Sequence, residues 1–363
     1  MKKLRHVIIG VGAWVFKLHR PALDLDTVDL VAVSDIDETR ARSRAQEMNC
    51  AFYTDHRAML AEYKPDVAVI TTPHPTHAAI ALDCLAVGAH VLVEKPMSDS
   101  IADAEKMVAA AEKANCLLGV CYQRRFRPTI ERARELIANG ALGPIVRTLC
   151  LEPVLRSAKY YRDADWRGTW RGEGGGVLLN QAPHPIDTLC HLVGMPARIT
   201  GTTRTARHAI ECEDTAHALL EYANGASGYF FAGTAETSVK PNIQIAGEKG
   251  ALELSDTQLK IYRFANSIPE YIATSTEIFD RMKKEIEVLD LPDTTGNHVS
   301  VYRDFHAAIL EGRQPRANGR EGLMSVEFAN ALIYSAQKQM PVIMPLDRVA
   351  YTNLLCELRK ETP

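Results

Sequence analysis

Three short apolar runs, each ending abruptly in a turn or a charged group, constrain what this chain can fold into. The first run ends in Gly10-Val11-Gly12, the second in Asp35 and the third in Glu94-Lys95-Pro96. Apolar runs of this length between helical segments are typical of buried parallel strands. Because α/β proteins bind ligands at the carboxyl ends of such strands, these three tips indicate one binding edge.

The same strand and helix alternation continues to about residue 122 and then stops. It predicts an α/β N-terminal domain over residues 1–123, a Rossmann-type doubly wound parallel sheet. Beyond it, strand-like runs follow one another with little helix, and Asn224-Gly225 is typical of a tight hairpin turn. Residues 124–363 are therefore predicted to form an α+β domain with a largely antiparallel open sheet. Two late helices, at residues 299–311 and 320–339, are expected to pack on a face of that sheet.

The glycine turn and the acid together predict a dinucleotide site. Gly10 and Gly12 let the backbone approach a pyrophosphate at a helix N-terminus, and Asp35 follows Gly10 by 25 residues. An acid at this strand tip bonds ribose hydroxyls and repels a 2′-phosphate, which favours NAD. NADP stays possible, because Arg40 and Arg42 can offset the repulsion if their helix turns them inward. The motif departs from its usual form at Val15, where a small residue is common.

A second chemical cluster begins at Glu173 with three glycines and ends at Asp187. Pro183 and Pro185 lack N–H donors, so the local helix is broken or begins near His184. Irregular points of this kind often carry functional residues. The spacing alone does not separate a functional His184 from a structural histidine.

Composition excludes several classes of function. A formal net charge of −3 gives no electrostatic case for binding nucleic acid or an anionic membrane. No apolar stretch approaches the roughly 20 residues that span a bilayer, and the N-terminus does not resemble a signal peptide. The eight cysteines form no C-x-x-C pair, which indicates reduced thiols in a cytoplasmic protein. No metal site is expected.

The motifs in this order resemble the Gfo/Idh/MocA family, which includes glucose-fructose oxidoreductase and inositol dehydrogenase. The resemblance covers nearly the whole chain, and its specific parts are Glu94-Lys95-Pro96 and the block of residues 174–187. It implies an NAD(P)-binding Rossmann domain followed by a sheet domain. The open face of that sheet would cover the nicotinamide and join copies into a homodimer or homotetramer. Lys95 and His184 match the family's catalytic lysine and histidine.

The resemblance also implies the remaining site residues. Asn180 stands where the family frequently has an aspartate, and we include it in the catalytic set with Lys95 and His184. The residues implied to bind the cofactor are Gly10, Gly12, Ala13, Trp14, Asp35, Arg40, Thr72, Pro73, His77, Glu94, Lys95, Gln123, Trp166 and Arg167. Those implied to bind the substrate are Lys95, Gln123, Tyr160, Arg167, Asn180 and His184.

The chemistry expected of this set is hydride transfer between a nicotinamide and a secondary alcohol or ketone of a sugar, polyol or glycoside. A neutral histidine suits the proton transfer, and a lysine ammonium can steady the developing alkoxide. Because Asn180 carries no charge, His184 should titrate lower than beside an aspartate, and Asn180→Asp should raise its pKa. Two alternatives remain open: a redox-neutral enzyme with tightly held NAD, and a dinucleotide-binding regulator without turnover.

Overall fold

The computed structural model describes residues 2–276, 278–279 and 281–360 of the chain. Its N-terminal sheet consists of β1 (Leu4–Ile9), β2 (Val28–Ser34), β3 (Ala51–Tyr53), β4 (Val67–Ile70), β5 (His90–Val93) and β6 (Leu118–Val120). The strands lie in the order β3-β2-β1-β4-β5-β6, and all neighbours are parallel. The predicted doubly wound parallel sheet is therefore confirmed.

Helices cover both faces of this sheet, which is why its central strands are mostly buried. The crossover helices are α1 (Ala13–His19), α2 (Glu38–Met48), α3 (His56–Tyr63), α4 (His77–Ala86) and α5 (Ile101–Lys113). All four residues of β4 are fully buried. The strand order reverses between β1 and β4, so the crevice for a ligand opens above the carboxyl ends of these strands.

The C-terminal part is built on a mixed, mostly antiparallel sheet. Its strands are β7 (Ile145–Pro153), β8 (Arg198–Arg204), β9 (Thr215–Glu221), β10 (Ser227–Gly233), β11 (Asn242–Gly247), β12 (Gly250–Leu254), β13 (Gln258–Phe264), β14 (Lys284–Asp290) and β15 (Val342–Ile343). They lie in the order β14-β13-β12-β11-β7-β10-β9-β8-β15. Among the described strands of this second sheet, only β7 and β10 pair in parallel. The hairpin at Asn224-Gly225 joins β9 to β10, as predicted.

The helices of this part are α6 (Pro128–Ala138), α7 (Ala158–Arg162), α8 (Val177–Asn180), α9 (Pro183–Val193), α10 (Ile268–Thr274), α11 (His298–Glu311), α12 (Gly319–Lys338) and α13 (Arg348–Lys360). As expected, α12 packs on the sheet, where it meets β8. The same expectation is wrong for α11, because Val301, Tyr302 and Phe305 are buried in the core of the N-terminal sheet with Leu4 and Ile8. An amphipathic pattern predicts a helix but not which apolar surface it covers.

One face of the C-terminal sheet presents a row of side chains that includes exposed residues. The cross-strand register places one residue from each of seven strands in a single row: Leu219, Tyr229, Leu149, Gln244, Glu253, Lys260 and Val288. Leu219 and Val288, near the two ends of this row, are 60% and 48% exposed. We call this surface the open face. In the part of the chain that the structure describes, no helix has the length and apolar composition needed to cross a membrane.

Candidate active site

The glycine turn after β1 has the shape that a bound dinucleotide requires. Gly10 adopts φ +86°, and a Cβ there would lie 2.7 Å from Thr72 Cγ2, so only glycine fits. A Cβ on Gly12, by contrast, would meet nothing within 4 Å. Gly12 precedes α1, which begins with Ala13 and Trp14, and the Trp14 side chain is 67% exposed. The open space above the turn fits a pyrophosphate at a helix N-terminus.

Asp35, directly after β2, is buried beside this turn. Its Oδ2 accepts the N–H of Val11 at 2.9 Å, and its Oδ1 accepts the N–H of Asp37 at 3.0 Å. Arg40 Nη1 also donates to Oδ1, at 3.0 Å, and the Arg40 side chain is 44% exposed. The Asp35 carboxylate therefore stabilises the turn, and the Arg40 guanidinium lies beside it. This is the arrangement in which an acid can bond ribose hydroxyls while a neighbouring arginine reduces its charge.

The loop after β4 places Thr72 half-buried and Pro73 exposed at the same edge. His77 is fully buried behind this loop. Its Nε2 lies 2.7 Å from the Thr72 carbonyl oxygen and its Nδ1 lies 2.9 Å from the Pro96 carbonyl oxygen. His77 thus ties the loop after β4 to the loop that carries Lys95 through hydrogen bonds to both backbones.

Glu94 fixes the backbone of Lys95. Its Oε1 lies 3.0 Å from His19 Nε2 and 2.8 Å from His298 Nε2, while its Oε2 accepts the Lys95 N–H at 3.0 Å. Burial opposes ionisation of Glu94, but hydrogen bonds from the two histidines outweigh it and hold its pKa well below the usual value. His19 on α1 and His298 on α11 were not predicted, because their partner lies far away in sequence.

The same histidines and Glu94 form a close group with Cys121, in which the possible ligand atoms lie within 4.8 Å of one another. A metal ion is one possible occupant of such a group. Here the groups satisfy one another directly, since His19 Nδ1 also pairs with Tyr302 Oη at 2.9 Å. We therefore assign these side chains as hydrogen-bond partners that hold the tip of β5.

Lys95 reaches from the tip of β5 to the C-terminal part of the chain. Its Nζ donates to the backbone oxygen of Asn180 at 2.8 Å. Burial lowers the pKa of Lys95, Glu94 and Glu173 act to raise it, and Arg124 and Arg156 act to lower it further. The charge of the Lys95 ammonium is therefore set by both acids and cations around it.

The glycine-rich segment sets the positions of Asn180 and His184. A Cβ on Gly176 would lie 2.0 Å from the Glu213 backbone oxygen, so only glycine fits at position 176. α8 then carries Asn180 at its end, and α9 begins at Pro183, which puts His184 in its first turn. The predicted break in the helix before His184 is confirmed.

His184 is available for proton transfer. Its Nδ1 is buried and has no hydrogen-bond partner among the described residues. Burial, followed by the charges of Arg124 and Lys95, lowers the pKa of His184 well below the usual value, so the ring is neutral at physiological pH. The Asn180 amide is engaged elsewhere: Nδ2 donates to Glu173 Oε1. The expected electrostatic coupling between Asn180 and His184 stays a prediction.

Among the remaining predicted residues, Arg167 stacks on two aromatic rings. It lies on Tyr160 at 4.3 Å and on Trp166 at 5.3 Å, measured from its guanidinium carbon to the ring centres. The Tyr160 hydroxyl accepts a hydrogen bond from Nε2 of Gln181, the neighbour of Asn180 in the chain, at 3.1 Å. Buried polar atoms without partners among the described residues include Gln123 Oε1 and Arg167 Nε. A hydroxylated ligand would satisfy such atoms.

Comparison with known families agrees with this geometry. Residues 4–122 match the oxidoreductase family with the NAD-binding Rossmann fold, Gfo/Idh/MocA, and residues 130–253 match the GFO/IDH/MocA C-terminal domain. The chain is 24% identical over 352 residues to scyllo-inositol 2-dehydrogenase (NADP(+)) IolW of Bacillus subtilis, covering 93% of this chain and 95% of that protein. It is 30% identical over 228 residues to trans-1,2-dihydrobenzene-1,2-diol dehydrogenase of Mus musculus, covering 62% and 66%.

Among solved structures, the WlbA dehydrogenase from Bordetella pertussis in complex with NADH and UDP-GlcNAcA is 27% identical, with a TM-score of 0.81. The similarity covers 95% of this chain and all of that one. A levoglucosan dehydrogenase complex with NADH, 20% identical at a TM-score of 0.81, shares the fold over 95% of this chain and all of the other. On both domains, then, this chain belongs to the Gfo/Idh/MocA family of oxidoreductases.

Proposed function

We propose that this protein is an NAD(P)-dependent dehydrogenase that acts on a secondary alcohol of a sugar, polyol or glycoside, or on the corresponding ketone. The observation that carries the proposal is the convergence of Lys95, from the tip of β5, with the segment that carries His184. This convergence lies at the strand edge that holds the glycine turn and Asp35. The relatives named above include an inositol dehydrogenase and an NADH-bound dehydrogenase.

The residues divide the work of the reaction as follows. A bound nicotinamide would supply the hydride chemistry, as acceptor from the alcohol carbon or as donor to the ketone carbon. The Lys95 ammonium holds the reacting oxygen and stabilises the negative charge that develops on it. The neutral His184 ring takes the hydroxyl proton during oxidation and returns it during reduction. Gly10, Gly12 and Asp35 would hold the dinucleotide.

A screen of sugars, glycosides and inositols for NADH formation tests the proposal. We expect turnover with at least one carbohydrate-type alcohol. Stoichiometric NAD that co-purifies and does not exchange, without net NADH formation, would instead support the redox-neutral alternative. Binding of NAD with no chemistry on any of these compounds would support the regulator.

Lys95→Ala is expected to lose turnover and keep cofactor binding. The ammonium acts at the reacting oxygen, and removing such a group commonly lowers kcat about 100-fold or more. The matched control is Lys106→Ala, since the Lys106 side chain is 65% exposed and pairs with Asp103 on the same helix. Stopped-flow kcat and NADH fluorescence titration measure the two effects. A near-normal kcat would remove Lys95 from the mechanism.

We also propose that two or four copies associate through the open face, because this broad surface exposes Leu219, Ile286 and Val288. Leu219→Lys should then lower the mass measured by light scattering to that of a single chain. Val349→Lys is the control, since Val349 is 70% exposed on α13. An unchanged mass for Leu219→Lys, or a monomeric wild type, would contradict this assembly.

A cytoplasmic location is proposed from the cysteines. All eight are free, and five of them are buried inside the protein. Unpaired thiols in this number are typical of a reducing compartment. Fractionation of the source cells, with detection of this chain in the cytoplasmic fraction, tests the proposal.

A further inference from the structure

A buried carboxylate that sequence reasoning gave no role lies directly behind Asn180. Asn180 Nδ2 donates to Glu173 Oε1, and Glu173 Oε2 accepts the Gly168 N–H at 2.6 Å. Glu173 is 1% exposed, so water screens its charge poorly. Its two oxygens therefore have fixed partners, one on each side, and the carboxylate has a defined orientation toward the site.

Asn180 connects this carboxylate to Lys95. The backbone oxygen of Asn180 accepts the Lys95 ammonium at 2.8 Å, while its side-chain amide is held by Glu173. Glu173 and Lys95 also influence each other electrostatically: the carboxylate raises the pKa of Lys95, and the ammonium lowers the pKa of Glu173. Two routes, a hydrogen-bonded chain and a direct field, thus run from Glu173 to the reactive amine.

We propose that Glu173 is a positioning residue of the active site, whose ionised carboxylate fixes Asn180 and thereby holds and charges the Lys95 ammonium at the reacting oxygen. The carboxylate balances a site in which Arg124 and Arg156 otherwise disfavour the charged form of Lys95. The inference rests on the proposed dehydrogenase function for its kinetic consequences only, because the state of Lys95 can be measured without turnover.

Glu173 changes its charge near neutral pH. Burial raises its pKa to about 7, hydrogen bonds from Gly168 and Asn180 act against this, Glu213 adds to it, and Lys95 opposes it. The other groups that face Glu173 are Tyr160, Tyr161 and Cys212, together with His74, whose Nδ1 lies 3.3 Å from the Glu173 backbone oxygen. Because His184 stays neutral in this range, alcohol oxidation should rise with pH as Glu173 ionises.

The first experiment follows Lys95 directly. Protein labelled with carbon-13 at lysine Cε is titrated by NMR, and the spectrum of Lys95→Met identifies the Lys95 signal. In Glu173→Gln the Lys95 signal should titrate at lower pH than in the wild type, because a stabilising negative charge has been removed. An unchanged titration would overturn the proposal, whatever the substrate of the enzyme proves to be.

The second experiment uses the pH dependence of kcat/KM for the best alcohol found in the NADH screen. The wild type should show a step near pH 7, which Glu173→Gln should abolish while lowering kcat about tenfold, the size expected for one hydrogen-bonded charge. Asn180→Ala should move the step to higher pH, because it removes the hydrogen bond from the Asn180 side-chain amide that favours the ionised Glu173 carboxylate. The KM for NAD should stay constant, because Asp35 and the glycine turn are unchanged.

Rescue separates positioning from a merely structural role. Asn180→Asp alone places two carboxylates in contact, so they should share a proton and move the step upward. Glu173→Gln/Asn180→Asp restores a single carboxylate beside Lys95 and should be more active than either single variant. A double variant no better than the worse single variant would count against the proposal.

Glu213→Gln is the matched control, since Glu213 is equally buried and its pKa is also raised to about 7. Its Oε1 accepts the N–H groups of Gly176 and Leu178, and it does not contact Asn180 in any described hydrogen bond. This variant should keep the step and move it to lower pH, because Glu213 raises the pKa of Glu173. If the step disappears in Glu213→Gln and persists in Glu173→Gln, the proposal is wrong.

Discussion

At the scale of single residues, the cofactor end of the site depends on Asp35. The carboxylate accepts two backbone N–H groups and one guanidinium, so it shapes the glycine turn as well as facing the ribose position. An acid here favours NAD, while the Arg40 pair limits how strongly it rejects a 2′-phosphate. A preference for NAD with measurable use of NADP follows.

Asp35→Asn should move the cofactor preference toward NADP. The amide keeps the shape and can still accept the Val11 N–H, but it no longer repels a 2′-phosphate. We expect the ratio of kcat/KM for NAD to that for NADP to fall by about tenfold, the effect of one charge contact. Arg40→Ala should lower the use of NADP more than that of NAD, with Arg42→Ala as control because Arg42 pairs with Glu38. Comparable use of both cofactors by the wild type would contradict the assignment to NAD.

At the scale of elements, the N-terminus of the short helix α8 is held by Glu213, a buried acid in the loop between β8 and β9. Glu213 Oε1 accepts the N–H groups of Gly176 and Leu178, and its backbone oxygen accepts the Val177 N–H at 2.9 Å. These are the free donors of a helix N-terminus, which a carboxylate satisfies well. The glycine-rich segment therefore owes its path to Glu213 as much as to its lack of side chains.

This acid should make the stability of the fold depend on pH. Burial raises the pKa of Glu213 from 4.5 to about 7, so the folded protein binds this proton more tightly than the unfolded chain. The stabilising contribution is complete below pH 4.5 and is lost as the pH rises through 7. Relative to Glu213→Gln, the wild type should lose about 3 kcal/mol of unfolding free energy across that interval. Urea unfolding at several pH values measures it, and Glu221→Gln, at an exposed ion pair, should show no such trend.

At the scale of the whole molecule, a buried ion pair joins the two parts of the chain. Arg125 follows β6, and it donates to Asp187 of α9 through Nε at 2.9 Å and Nη2 at 2.6 Å. Both side chains are 1% exposed. Arg125 Nη1 also donates to the Arg316 backbone oxygen at 2.8 Å and to Glu321 of α12. The guanidinium thus joins the end of the first sheet to two helices of the second part.

Arg125→Met should destabilise the fold strongly. It leaves Asp187 charged, buried and unpaired, which typically costs 3–5 kcal/mol. Arg132→Ala provides the control, because the Arg132–Glu135 pair is largely exposed and should contribute less than about 1 kcal/mol. Chemical unfolding of both variants gives the comparison. Equal, small losses would mean that the buried pair is not what joins the two parts.

The sequence predicted the elements whose burial follows a simple period. The parallel strand β4 is continuously apolar, β1 and β5 each end in three apolar residues, and the strands β9 and β10 alternate on either side of Asn224-Gly225. The edge strand β14 is harder to predict, because its residues are nearly all exposed and no buried side marks it as a strand.

The site was predictable where one motif carries it and unpredictable where distant segments meet. Lys95, Asp35 and the glycine turn lie at strand tips, which the pattern of apolar runs reveals. Glu173 and His298 contact partners on other elements, Asn180 and Glu94. The local spacing of residues in the sequence does not indicate such contacts. The signals that would have singled them out are a polar residue directly before three glycines and a histidine directly before a predicted helix.

Helix α11 shows that the order of the chain and the boundaries of its folding units do not coincide. It lies late in the sequence, yet Val301, Tyr302 and Phe305 fill the N-terminal core, and His298 holds Glu94. A fragment cut near residue 123 would expose that apolar surface and lose a partner of the acid beside Lys95. Recombination between relatives would therefore have to exchange two segments together. The nucleotide-binding module is preserved only when the N-terminal segment and α11 (His298–Glu311) come from the same parent.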